Sequence, residues 1–384
     1  MEKTGKILPQ EDQSALISPF HRVERAAGDF RRGAPVLIRQ PGRSASLAAA
    51  AETVSDRTLK QMIGVGESAF VMISHDRAAT LKISLYTDEV IALPLGSTMD
   101  AESVRAIADP ASDLDYPLKG PFHPTRTQPD ASAIAAVRLA KLAGLLPAAV
   151  VVQLSLEASE RLTTGATLAP VEATDILNFQ DMAAESLQLI TRATVPLRDA
   201  ERTEIAAFRS ADGGPEHYAI LIGDKSGSAL APPGPVLTRI HSECFTGDLL
   251  GSLKCDCGDQ LRGAIATIAK AGGGILLYLA QEGRGIGLMN KLRAYRLQDE
   301  GFDTLEANTR LGFAEDERLY DIAARMLQIL GYRKVRLLTN NPDKISALQQ
   351  AGIDVTERVP HSFPDNLHNR EYLRTKSTKA GHLF

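Results

Sequence analysis

The chain has 384 residues, 44% of them hydrophobic and 23% charged, which is long enough for two domains of roughly 150–200 residues and unlike a disordered or collagenous composition. Lysine and arginine total 43 against 47 aspartates and glutamates, a net charge of −4, so there is no broad basic field that would make long nucleic acid a partner. No apolar run approaches the roughly 20 residues of a membrane span, and the opening MEKTGKILPQEDQ lacks the apolar centre of a secretion signal, so a cytoplasmic home with no membrane partner is expected.

In the first half, Pro35-Val36-Leu37-Ile38 and Ala148-Ala149-Val150-Val151-Val152 read as buried strands. Asp130 ahead of Ile134, Val137, Leu139 and Leu142 reads as the cap of a helix, and Lys119 to Pro124 as a loop. A joint near residues 175–195 divides this α+β unit, taken as 1–180, from a second domain, 181–384, that opens at Thr194-Val195-Pro196-Leu197. There, Tyr218 to Ile222 and Val236 to Ile240 read as strands around the loop Asp224 to Ser228. Leu261, Ala264, Ile265, Ile268 and Ala269 fall at helical spacing, as do Leu319, Ile322, Ala323, Met326 and Leu330. Gly274 to Tyr278 and Val335 to Thr339 read as further strands. The fold class is mixed α/β in two domains, with the polar motifs of the second at the ends of its elements, where sites are usually built.

All three cysteines, Cys244, Cys255 and Cys257, lie in one short run, HSECFTGDLLGSLKCDCG. An odd count gives no disulfide framework and fits a reducing compartment. Three thiolates suit zinc and leave one tetrahedral position for water, the open arrangement of a catalytic site. The plainer alternatives are three small buried apolar groups or a redox pair of Cys255 and Cys257, and His241 is a weaker candidate for a fourth ligand. Gln281-Glu282-Gly283-Arg284-Gly285-Ile286-Gly287 follows a strand and precedes a helix, a place suited to an anion, although its glycine spacing fails the dinucleotide pattern. Asp316-Glu317-Arg318 is read as beginning another helix, where acidic residues would complement the dipole, and Thr339 to Lys344 as a capped turn that could contact a phosphate.

The segments HSECFTGDLLGSLKCDCGDQL, LLYLAQEGRGIGLMNKLRAYRLQDEGFDTLEAN, LGFAEDERLYDIAARML and VRLLTNNPDKISALQQAGI resemble GTP cyclohydrolase II over roughly residues 187–384. The resemblance implies zinc-dependent hydrolysis of GTP at C8 of guanine, the first step of riboflavin biosynthesis. Formate and pyrophosphate are released, and 2,5-diamino-6-(5-phosphoribosylamino)pyrimidin-4(3H)-one remains. It also implies Cys244, Cys255 and Cys257 as ligands of one zinc per subunit, Mg²⁺ carried with the triphosphate, and a homodimer. GTP contacts are implied at Arg239, Ile240, His241, Ser242, Glu243, Gln260, Glu282, Gly283, Arg284, Thr304, Thr339 and Lys344. In the family Asp316 is a proton acceptor, Arg318 a nucleophile toward the α-phosphate and Tyr295 a neighbour of the reacting base; an arginine is protonated at ordinary pH, so a transition-state clamp is an equal reading of Arg318. Where the family usually reads Arg-Asp-Tyr-Gly, this chain has Arg318-Leu319-Tyr320-Asp321.

The first half resembles 3,4-dihydroxy-2-butanone 4-phosphate synthase through Val23 to Ala26, Arg32 to Ile38, Ala50-Ala51-Glu52 and Leu139 to Leu145. Its acidic metal-binding stretch is replaced by Pro41-Gly42-Arg43-Ser44-Ala45-Ser46, and its Gly-His-Thr-Glu by Ala131-Ser132-Ala133-Ile134. Such residues cannot hold Mg²⁺ or move protons, so this domain is expected to be inactive. The alternatives to the leading reading are a paralogue acting on another nucleotide, for example in pyrimidine breakdown, and a non-enzymatic nucleotide sensor.

Overall fold

The computed structural model describes residues 17–43, 45–96, 98–114, 119–164, 168–223 and 234–370, together with 374 and 378. The loop read at Asp224 to Ser228, along with Ser44, lies outside them. The chain divides into two compact units, Met1–Phe179 and Gln180–Phe384.

The first unit is built on a six-stranded sheet in the order β4-β3-β5-β2-β1-β6, from β1 (Val36–Arg39), β2 (Ser46–Ala50), β3 (Ser68–Ser74), β4 (Val90–Pro94), β5 (Ala148–Gln153) and β6 (Val171–Glu172). All neighbours are antiparallel except β1 and β6. Helix α1 (Pro19–Arg31) starts with a proline behind Ser18, whose hydroxyl accepts from the His21 amide at 3.2 Å. Helix α2 (Ala131–Leu142) begins where its sequence signal falls, with the Asp130 carboxylate accepting from the Ala133 amide at 3.0 Å. Its Ala133, Ala136 and Ala140 are small enough to bring the helix close to the sheet, and with Phe30, Val23 and Val151 they form the core.

A second, charged anchor lies in the same unit. Arg77, 1% exposed, gives its guanidinium to Asp113 and to the Ile107 carbonyl, and Lys119 Nζ reaches Asp113 Oδ1 at 2.6 Å. Burial alone would raise the Asp113 pKa, but hydrogen bonds and charge from Arg77 and Lys119 hold it below the ordinary value.

The second unit carries a seven-stranded sheet, order β13-β12-β10-β11-β9-β8-β7. It is made of β7 (Gln188–Thr194), β8 (Thr203–Arg209), β9 (His217–Ile222), β10 (Val236–Ser242), β11 (Gly274–Leu279), β12 (Lys334–Leu338) and β13 (Asp354–Val359). Its first strand therefore lies before the stretch 194–197 that the sequence offered. The four strands from β13 to β11 are parallel and the remainder antiparallel. The helices α3 (Cys257–Lys270), α4 (Gly287–Asp299), α5 (Thr304–Arg310), α6 (Asp321–Ile329) and α7 (Pro342–Gln350) belong to this unit. Because the connection leaving β10 runs to β11 on one side and the connection leaving β12 runs to β13 on the other, the topology switches between β10 and β12, and a crevice opens at the carboxyl ends of these strands.

The ion cluster of the first unit makes a prediction. A carboxylate with a depressed native pKa contributes stability above its unfolded pKa and loses it as pH falls through the native value. Asp113→Asn should lower the unfolding free energy of this unit by about 3–5 kcal/mol at neutral pH, since it strands two buried cations. In urea titrations the gap to the parent chain should close as pH drops below about 4.

Candidate active site

Three strand ends meet at the crevice. Beyond the end of β10, Cys244 opens a wide turn, Phe245–Leu249, in which the Gly247 amide donates to Cys244 Sγ at 3.3 Å. The chain returns through Cys255 and Cys257, the latter beginning α3. The three sulfurs lie within 4.8 Å of one another, Cys244 and Cys255 at 3.7 Å. Thiolates each about 2.3 Å from a shared tetrahedral ion would stand nearly 4 Å apart, so the set fits zinc. Hydrogen bonds from Cys255 and Cys257 pull the Cys244 pKa far down, and the bond to Cys244 pushes that of Cys255 up.

Asp248 fastens the turn. Its carboxylate accepts from the Cys244 amide at 3.1 Å, from Tyr278 Oη at 3.0 Å and from His241 Nε2 at 3.0 Å. A carboxylate only accepts, so Nε2 carries the proton; burial outweighs Asp248 and lowers the His241 pKa, leaving a neutral ring. His241 is thus turned to Asp248, and it is absent from the cluster of groups able to share a metal.

The end of β11 leads into Gln281 to Gly287. Gly283 and Arg284 both take left-handed backbone, φ 63° and 62°. Gly285 lies so close to the Glu317 carbonyl that a Cβ would sit 2.7 Å from it, and the Arg284 carbonyl accepts from the Glu317 amide at 3.0 Å. Glu282 is spent on protein partners, accepting from the Phe245 amide at 2.6 Å and from Lys291 Nζ at 2.9 Å. Burial alone would lower the Lys291 pKa, but the bonds to Glu282 and Cys244 raise it above the ordinary lysine value. Four residues along α4, Tyr295 is pushed up to about 12 by burial and stays a protonated phenol.

The end of β12 supplies Thr339, Asn340 and Asn341, with Lys344 in the first turn of α7. Lys344 Nζ donates to the Ile240 carbonyl at 2.9 Å. Arg239, lowered to about 10 by burial, donates to the Leu338 carbonyl at 2.8 Å and to Gln260, which donates in turn to Asp256. Arg239 Nε and Ser242 Oγ are buried with no hydrogen-bond partner among the described residues, and both side chains border the crevice. Such atoms are costly unless a ligand meets them.

Asp316 and Arg318 do not begin a helix as the sequence suggested; they sit in a loop, and α6 starts at Asp321. Arg318 grips Asp316 from Nε at 2.8 Å and from Nη2 at 2.5 Å. Burial would raise the Asp316 pKa, but Arg318 lowers it below the ordinary range. The departure at Leu319 to Asp321 leaves packing intact, with Tyr320 in the core beside Ile322 and Ala323.

Together these ends wall one cleft. Every site residue named from the sequence lines it except Ile240 and Asp316. Ile240 is fully buried in the apolar core and reaches the site only through the carbonyl that holds Lys344. Lys291, Asn308 and His361 also line the cleft and were missed. The i, i+4 spacing of Lys291 to Tyr295 was a usable signal for the first. His361, lowered to about 4 by burial, bonds the Gln260 carbonyl from far along the chain, and no local pattern marks it.

The family model described as GTP cyclohydrolase II matches residues 188–360. A GTP cyclohydrolase-2 of Azospirillum brasilense is 46% identical over 381 residues, spanning 98% of this chain and 96% of that protein. The chain belongs to the GTP cyclohydrolase II family. A GTP cyclohydrolase-2 of Xylella fastidiosa is 38% identical across 94% of this chain and 87% of its own. The riboflavin biosynthesis protein RibBA of Bacillus mycoides is 36% identical across 95% and 99%. Family membership makes the chain a hydrolase. Among solved structures, a two-domain 3,4-dihydroxy-2-butanone 4-phosphate synthase from A. baumannii aligns with 83% of this chain and 93% of its own, at 18% identity and a TM-score of 0.35.

The sulfur cluster leaves no spare room. A Cβ on Gly247 would lie 2.8 Å from Cys255 Sγ and 3.0 Å from Cys244 Sγ. Gly247→Ala should therefore abolish stoichiometric zinc uptake, measured by elemental analysis, while far-ultraviolet circular dichroism stays that of the parent.

Proposed function

We propose that this chain hydrolyses GTP at C8 of guanine, releasing formate and pyrophosphate and leaving the diaminopyrimidine phosphoribosyl product that enters riboflavin synthesis. The observation that carries this reading is the convergence of three sulfurs and a set of buried cations on one cleft. Cys244, Cys255 and Cys257 would hold a zinc ion, which would supply the Lewis acidity for hydrolysis.

The remaining work falls to side chains. Arg284, Arg318 and Lys344 offset the charge of the triphosphate, which enters with Mg²⁺. Asp316 is paired to Arg318 and has a depressed pKa, which suits an orienting group better than a base; Arg318, held in that fork, acts as a clamp on developing charge. Tyr295, protonated at neutral pH, can donate to the base or its opened product, in keeping with release of formate over arrest at a formamide. Arg239 and Ser242 bring unsatisfied polar atoms to a nucleotide. The first domain, lacking the acidic metal-binding stretch, is read as inactive in butanone phosphate synthesis, with the division near residue 180. We read the protein as a cytoplasmic homodimer with one zinc per subunit.

With GTP, Zn²⁺ and Mg²⁺, mass spectrometry should find formate, pyrophosphate and the diaminopyrimidine; GTP bound but unchanged would instead favour a sensor. Cys255→Ser should lose zinc and turnover together, and turnover without metal would sink the reading. Arg318→Ala should keep zinc yet slow pyrophosphate release by about 10²–10³-fold, the scale of losing one transition-state donor.

A further inference from the structure

Lys291 has no part in the chemistry above, yet it is among the most constrained groups in the cleft. Its Nζ lies 3.0 Å from Cys244 Sγ, 3.0 Å from Thr246 Oγ1 and 2.9 Å from Glu282 Oε1. An ammonium has three N–H donors, and these acceptors take all of them, leaving none for a substrate. The side chain is 10% exposed, and the Tyr295 ring covers one side with its centroid 5.6 Å from Nζ.

The charges around it need such a group. Three thiolates outweigh a divalent ion by one negative charge, and the Glu282 carboxylate adds another in the same buried space. Glu282 is met by the Phe245 and Gly283 amides, while Cys244 Sγ is met by the Gly247 amide and the lysine. The lysine is also a mechanical link. It stands on α4, and through Cys244 and Glu282 it joins the turn after β10 to the glycine loop after β11 that carries Arg284.

We infer that Lys291 is a positioning residue for the metal: its ammonium orients Cys244 and offsets thiolate charge, and its bond to Glu282 locks the sulfur loop to the loop bearing Arg284. The inference rests on the reading of the three cysteines as a zinc site. It places Lys291 behind a ligand, as groups hydrogen-bonded to metal ligands elsewhere fix their direction and donor strength.

The test uses the full chain, stripped of metal and refilled, with zinc affinity measured by chelator competition and the cobalt(II) form by its thiolate-to-metal absorption band. Lys291→Met keeps the apolar stem and removes charge and donors. It should bind zinc about 10–100-fold more weakly and shift the cobalt band, and Lys291→Arg should recover part of both. Affinity and band unchanged in Lys291→Met would overturn the inference, since apolar packing would then suffice. If the parent chain itself took up no stoichiometric zinc, the metal reading would fail and this inference with it, a result distinct from the first. Should Lys291→Met not fold, Lys291→Gln carries the same comparison.

Discussion

One buried carboxylate decides where the sulfurs stand. Asp248 receives the Cys244 amide, the Tyr278 hydroxyl and His241 Nε2, donors from the turn and from two neighbouring parallel strands. His241 and Tyr278 are paired in register across β10 and β11, and their rings stack with centroids 5.5 Å apart. The strand pairing thus fixes two donors, the donors fix the carboxylate, and the carboxylate fixes the backbone of Cys244. Such a network strengthens itself at low dielectric, and each missing donor would leave the buried carboxylate less well met. The neutral state of His241 belongs to the same design, because a charged ring would add to Arg239 and Lys344 nearby.

Much of this was legible because strand ends carry their own signals. The clustering of every cysteine in one loop, glycines after β11 and an asparagine-proline turn after β12 all lie where the chain leaves the sheet, and the family's segments cover them. Asp130 capping α2 was equally plain. The error at Asp316 to Arg318 has a physical origin. Acidic residues ahead of an apolar 3.6-period are a fair helix-start signal. Here the Glu317 amide instead donates to the Arg284 carbonyl, and its carboxylate accepts from the Ala314 amide at 2.8 Å. The bond to Arg284 ties this segment to the loop after β11, and the helix begins only at Asp321. Ile240 was hidden for the opposite reason: a residue inside a matching motif contributes only a carbonyl, and motif membership does not say which atom faces the cleft. His361 depends on a contact that only folding creates.

The cleft separates two kinds of charge. The three sulfurs gather after β10, whereas Arg284, Arg318 and Lys344 arrive from the loop after β11, the loop before α6 and the start of α7. In the function proposed here, a nucleotide laid across them would meet the sulfurs at one end and hard cations at the other, which would set its direction without a base-specific contact. Lys291 is the exception, a cation on the anionic side, and its commitment to Cys244, Thr246 and Glu282 keeps it from competing for phosphate.

The position of Arg284 carries a conformational cost that explains the loop beside it. A non-glycine residue in left-handed backbone is disfavoured by about 1–2 kcal/mol. The fold tolerates it because the flanking Gly283 and Gly285 take positive φ without penalty, and because the Arg284 carbonyl is fixed by the Glu317 amide. Glu317 lies between Asp316 and Arg318, so the contact that holds the strained loop also sets the second arginine. Two guanidiniums on separate segments are in this way placed by one backbone hydrogen bond, and a side chain at Gly285 would break the placement of both by striking the Glu317 carbonyl.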